Sequence, residues 1–401
     1  MTKRSLRFSF AIFIFSIANS LSAQMNVDLV NSGQIMQEAN MYYSMGKFSK
    51  AENLYLKVGR NDTNYAAILR DLAYTYSDDK EDSLALVTAR RGKELDSEYK
   101  ADFYNIIGIS LKELEKYDTA IATFNEGIRL YPYKYLLQYQ KGMCYFKMKK
   151  YPEAQACFEK SIELNPYNAN SHYYLGKTCA EQGRIVPAIL SYQYFLLLEN
   201  NTERAAKTVT VLEDLYAGDT QADPDMELSS KEANDGCFDD IKDLIAGQSF
   251  LQPTYKNKTI IKLKMVKGLQ ALLEKLHYEK NTDNWWMENY VPFFVELQEK
   301  DFLAPYASHI LYGVRDNPTV AKSIKKNKKK IIVFATWASG FIKDNCKHPA
   351  RDLFPSDKGK TDITFYDNHV IAGAGQVNAM GVEDGDWMYF FMRSGHLLSR
   401  G

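Results

Sequence analysis

A spacing of 34 residues constrains this chain more than any other feature of its sequence. Gly108, Gly142 and Gly176 stand 34 residues apart, as do Ala120, Ala154 and Ala188, and then Pro132, Pro166 and Asn200. Bulky residues recur between them, first Tyr117, Tyr151 and Ile185, then Phe124, Phe158 and Tyr192. Small residues at fixed offsets let two antiparallel helices approach, and the bulky residues fill the gap between them. The prolines lack a backbone N–H and so stop the second helix of each pair. One such pair cannot bury its apolar face alone, so copies must stack.

This pattern resembles the tetratricopeptide repeat. Two weaker copies precede the clear ones. Ala39, Tyr42, Gly46, Phe48, Ala51 and Tyr55 mark the first, and Ala73, Tyr76, Ala85, Ala89 and Gly92 mark the second. The resemblance implies a mainly α fold: an α-solenoid of about five repeats over residues 32–201. A lone helix with Ala205, Val209, Leu212 and Tyr216 on one face caps it, which closes the solenoid at residue 216.

The stretch 217–236 is acidic and polar and reads as a linker. A helical domain without repeats is expected over 237–341, with its strongest helix at Val266 to Lys280. Thr259 to Met265 alternates and could begin as a strand. Pro318 suits the first turn of a helix that Asn327 ends amid lysines, and Ile331 to Phe341 reads as a further helix. Residues 342–401 form a short β-rich segment by their Gly-punctuated apolar runs, among them Ile363 to Phe365, Val370 to Ala372 and Trp387 to Met392. The stretch Gly385-Asp-Trp-Met-Tyr through Gly401 resembles a MORN-type repeat.

Residues 1–23 read as a secretory signal peptide. Lys3, Arg4 and Arg7 precede the apolar run Phe8 to Ile17, and small residues end at Ala23. An uncleaved membrane anchor is the rival reading. Without that leader 47 basic residues face 50 acidic ones, a balance that gives no pull toward nucleic acid. The five cysteines are widely spaced and contain no C-x-x-C pair, which speaks against zinc or thioredoxin-like chemistry. A Cys144–Cys179 disulfide stays open. No metal or other cofactor is expected. The signal, the 28 tyrosines and the two repeat types together look like envelope proteins of the Bacteroidetes, so a periplasmic or envelope location is expected.

The resemblance also says where a partner would bind. Tetratricopeptide repeats line a concave groove with places 2, 5, 9, 12 and 13 of their first helices. Of those, Asn105, Ile109, Lys112, Leu136, Tyr139, Met143, Phe146, Tyr173 and Lys177 form the candidate partner-binding groove. Members that clamp a C-terminal carboxylate carry Lys and Asn at places 5 and 9, whereas Asn105 and Ile109 stand here. An apolar, aromatic patch of Tyr139, Met143, Phe146 and Tyr173 suits an apolar peptide or an amphipathic helix instead, unless another part of the chain covers it. The resulting reading is a non-enzymatic scaffold that binds protein or peptide partners of the envelope, and no nucleic acid.

Two alternatives accompany it. One is a glycan- or peptidoglycan-binding protein, with Trp285, Trp286 and Trp337 as a platform, although such residues more often form a core. The other is an enzyme with its site in residues 237–401, using His348 or His369. Neither histidine has a metal-pair spacing, and the chain has no G-x-S-x-G and no Walker loop. Six lysines between Lys322 and Lys330 could meet phosphate, an anionic glycan or a membrane surface, but lysines also suit a helix C-terminus. The oligomeric state is not readable from the sequence.

Overall fold

A computed structural model describes residues 31–218, 236–280 and 283–346, together with the backbone of the strands Ile363–Tyr366 and His369–Ala372. These residues fall into two compact units that divide between Leu114 and Glu115.

The first unit holds α1 (Ser32–Ser44), α2 (Phe48–Tyr55), α3 (Tyr65–Asp78), α4 (Asp82–Lys93) and α5 (Lys100–Glu113). Ala39, Ala51, Ala73, Ala85 and Ala89 are fully buried. They are the small residues that the weaker copies of the 34-residue pattern place at helix crossings.

The second unit continues with α6 (Tyr117–Leu130), α7 (Tyr135–Lys147), α8 (Tyr151–Leu164), α9 (Ala169–Glu181), α10 (Ile185–Leu198) and α11 (Glu203–Ala217). Close approach explains the repeated spacing at the third copy: a Cβ added to Gly176 would lie 2.9 Å from the Tyr192 ring. Thr202 caps α11 by accepting from the Ala205 N–H, and Gly218 ends it in the left-handed region at φ 74°. After α11 come α12 (Asp239–Gly247), α13 (Lys264–Lys275), α14 (Trp285–Asn289), α15 (Val291–Glu299), α16 (Leu303–Ile310) and α17 (Pro318–Asp344). Residues 259–263 are not a strand; Leu263 is the extended residue just before α13.

One core runs through the second unit from α7 onward. It begins at Tyr139 in α7 and includes buried residues of every later helix, ending at Ile342 in α17. Its centre is aromatic: Tyr194 lies 5.2 Å from Tyr290 and from Phe293, and Phe293 stacks on Trp337 at 5.2 Å. The helices after residue 237 therefore share the core of the last repeats.

The long helix α17 corrects the sequence reading, which divides it at Asn327. Asn327 is buried and donates to the Ser323 carbonyl at 3.0 Å, within a polar cluster where Ser323 and Ser308 meet at 2.9 Å. It is an interior position facing α16, not a helix end. Val320, Ser323, Asn327, Ile331, Phe334, Ala338 and Ile342 keep one buried stripe along the full length. Asn317 caps the start, accepting from the Thr319 and Val320 N–H groups, with Pro318 in the first turn.

The two strands pair antiparallel, Ile363 opposite Ala372. The signal segment, most of the linker, His348, the MORN-like stretch and the remainder of the β-rich segment lie outside the described residues. Among the described residues no helix is long and apolar enough to cross a membrane, and no disulfide joins Cys144 to Cys179.

Candidate functional site

The groove residues expected from the sequence are set by the first helix of each pair. In the first unit α5 carries Asn105, Ile109 and Lys112 one turn apart. Asn105 is buried and its Nδ2 donates to the Tyr74 hydroxyl at 3.4 Å. Lys112 is also buried, with its Nζ 3.0 Å from Glu113 Oε1. Ile109 is half-buried.

In the second unit α7 carries Leu136, Tyr139, Met143 and Phe146, and α9 carries Tyr173 and Lys177. These form two layers. Tyr139 and Met143 are a buried floor, at 9% and 7% exposure, which corrects the expectation that both lie open. The cause is local: the Tyr139 ring packs between Phe158 of α8 at 5.9 Å and Tyr174 of α9 at 6.1 Å. Burial drives the Tyr139 hydroxyl well above the usual tyrosine range.

Leu136, Phe146, Tyr173 and Lys177 stay half-exposed above that floor. Phe146 meets Tyr151 and Tyr174 edge-on at 5.7 Å, and the Lys177 ammonium stands 5.4 Å from its ring centre. Tyr173 packs edge-on against Phe195 at 5.1 Å, with the Arg204 guanidinium 5.0 Å from both rings. Arg204 is fixed in turn by Glu199 at 2.5 Å and by Asn170 at 2.7 Å. The result is a strip of aromatic faces bordered by held cations.

The sequence gives no sign of a second concavity in this unit. A cleft of roughly 340 Å³ opens where the end of α8 and the start of α9 meet α14, α15 and the end of α17. Tyr194 and Phe341 are among its apolar walls, and Glu163, Glu288 and Asp344 bring it carboxylates. At its back His172 is fully buried, accepting at Nδ1 from the Tyr290 hydroxyl at 2.5 Å and donating from Nε2 to the Pro166 carbonyl at 2.8 Å. Burial lowers its pKa to about 4, so it is neutral. These residues come from distant stretches, and no motif in the chain joins them.

The tryptophans do not form an open platform. Trp286 is buried, Trp337 stacks within the core and donates to Glu296 at 2.8 Å, and Trp285 donates to Glu163 at 3.0 Å. Among the described residues no group of His, Cys, Asp and Glu could hold a metal ion. Of His369 only the backbone is described.

Comparison with known families decides the nature of the repeats. The family described as "Tetratricopeptide repeat" matches residues 101–134, 135–168 and 157–186. The likeness to tetratricopeptide repeats thus covers residues 101–186. No curated protein matches the chain. Among solved structures, PilF of Pseudomonas aeruginosa is 24% identical, over 46% of this chain and 82% of its own, with a TM-score of 0.40. MamA is 23% identical over 39% of this chain and 92% of its own, with a TM-score of 0.34. YrrB, a TPR protein with an unusual peptide-binding site, is 18% identical over 44% and 90%, with a TM-score of 0.32.

Proposed function

We propose that this chain is a non-enzymatic protein–protein interaction scaffold of the cell envelope, and that its tetratricopeptide repeats hold a peptide or helix of a partner. The supporting observation is the two-layered strip on α7 and α9. A buried floor of Tyr139 and Met143 fixes the helices, while Phe146 and Tyr173 keep ring surface exposed. Rigid aromatic faces that are already packed on one side lose little entropy on binding, which suits them as anchors. Lys177, held over the Phe146 ring, favours a segment that carries a carboxylate beside its apolar residues. The signal-like leader supports the envelope location, and the MORN-like stretch adds a second repeat type to the scaffold.

The test is affinity capture by the full chain from its own envelope, compared with Phe146→Ala and Tyr173→Ala. Both residues are half-exposed, so the variants keep their fold, as circular dichroism should verify. A partner that the native chain retains and both variants lose supports the reading. An identical set of captured proteins from all three chains would remove the groove from the proposal.

A further inference from the structure

The lysine run lacks the explanation that the sequence offers for it. Lysines favour a helix C-terminus because the dipole there is negative, an effect confined to the last turn. Lys330, the last of the run, stands 14 residues before Asp344, the end of α17. Lys322, Lys325, Lys326, Lys329 and Lys330 are all exposed. None of these five makes an ion pair with a described residue, and their spacings of three and four place like charges side by side. The helix therefore carries a repulsive face that its own packing does not relieve.

That face continues into apolar surface. Ile332 is 50% exposed and Val333 is 59% exposed, the two large aliphatic side chains that α17 turns to solvent. Val333 follows Lys322, Lys326 and Lys329 on one side, eleven residues beyond Lys322, or roughly 16 Å along the axis. The buried stripe from Val320 to Ile342 occupies the opposite side and anchors the helix to the core. So the basic face lies on a helix anchored along its opposite side, and its lysines lead to two adjacent aliphatic residues.

We propose that this face of α17 binds an anionic phospholipid surface peripherally, with the five lysines over the headgroups and Ile332 and Val333 entering the interface. The charges are ammonium groups on flexible stems, suited to a diffuse negative field rather than to one bidentate phosphate. No exposed aromatic side chain accompanies them on this helix, so the base-stacking surface that single-stranded nucleic acid needs is missing. Exposed aliphatic residues beside the lysines gain only from an apolar phase, which a lipid interface supplies and a soluble polyanion does not.

Cosedimentation of the full chain with vesicles tests this, using phosphatidylcholine alone and phosphatidylcholine mixed with phosphatidylglycerol. Binding to the mixed vesicles alone is expected, falling steeply as salt rises from about 50 mM to about 500 mM. Lys325→Glu with Lys329→Glu should weaken binding by at least about tenfold, and Val333→Ser should weaken it at constant charge. Circular dichroism and the unfolding midpoint show whether each variant is folded, and Lys329→Gln serves as the milder substitution. Absence of binding to acidic vesicles at low salt, or undiminished binding by the folded charge variant, overturns the proposal. Binding to poly-aspartate that equals vesicle binding and ignores Val333→Ser overturns the choice of lipid, in favour of an acidic macromolecule.

Discussion

His172 and Tyr290 stand 118 residues apart in sequence and share a buried hydrogen bond of 2.5 Å. The imidazole has one proton, on Nε2, which goes to the Pro166 carbonyl, so Nδ1 must accept and the tyrosine must donate. Tyr290→Phe would leave a buried acceptor without its donor, at a cost of about 1–3 kcal/mol. Trp285 and Trp286 lie within 5.5 Å and 5.2 Å of the Tyr290 ring, so their fluorescence follows the change directly. Urea unfolding should show a lowered midpoint with an unchanged slope. An unaltered midpoint would mean that the hydrogen bond contributes nothing to the junction.

The same unit holds a second buried imidazole. His309 donates from Nε2 to the Leu197 carbonyl at 3.0 Å, and burial lowers its pKa to about 4, as for His172. Both values lie below the usual 6.5. Above about pH 6.5 neither the folded nor the unfolded chain is protonated at these sites, and their contribution is complete. Between about pH 6.5 and about pH 4 the unfolded chain binds the protons and the folded chain does not. Stability therefore falls with pH there, by about 1.4 kcal/mol per pH unit for each histidine. Unfolding midpoints measured from neutral pH down to about pH 5 should decline accordingly. A flat profile across that window would contradict neutral burial of both rings.

The turns between paired helices carry strain that the sequence could remove. Gly46 and Gly183 occupy the left-handed region there, at φ 67° and 69°. Lys80, Glu115 and Lys149 hold the equivalent turns at φ 68°, 58° and 57°. A side chain in that conformation costs about 1 kcal/mol or more, which glycine avoids, less what it loses in chain entropy. Lys149 is exposed, so its side chain should not be missed. Lys149→Gly should raise stability by roughly 0.5 kcal/mol, read as a higher melting temperature. A lower one would show that the lysine makes an interaction worth more than the strain.

The periodic part of this fold was legible because stacked helix pairs impose a period. Gly176 must face Tyr192, and Ala154 and Ala188 must be small, whatever the partner is. What covers the last pair has no period, yet one segment and one residue mark it. The segment Val186 to Leu197 is buried throughout, and its near-continuous apolar character marks a helix enclosed on all sides rather than one facing water. Asn200 replaces the proline of the other copies because its Nδ2 donates to the His309 carbonyl at 2.9 Å, tying the repeats to α16. Proline has no such donor. The groove was half legible: Phe146, Tyr173 and Lys177 are half-exposed, but the burial of Tyr139 depends on Tyr174, which lies outside the expected groove places. The cleft was not legible, since its walls come from α8, α9, α14, α15 and α17 at once.

The shared core yields the last prediction, at Gly313. This residue sits in the short 3-10 turn Tyr312–Val314, and a Cβ there would lie 2.8 Å from the backbone carbonyl oxygen of Asn200. A backbone atom cannot swing aside as the end of a flexible side chain can. Gly313→Ala must therefore push α16 and α17 away from the last repeat, opening the hydrogen bonds from Asn200 to His309 and from Tyr306 to Gln193 at 2.9 Å. The cost should be about 1–3 kcal/mol, the usual range for overpacking. A chain ending at Gly218 takes the same argument to its limit. It would lose every later helix and expose the faces of Phe195, Leu212 and Tyr216 that are now buried. That fragment should bind a hydrophobic dye and aggregate, whereas the chain through Cys346 should do neither. A soluble, dye-negative fragment with a sharp unfolding transition would show that the repeats close their own core, and that the later helices are an added domain.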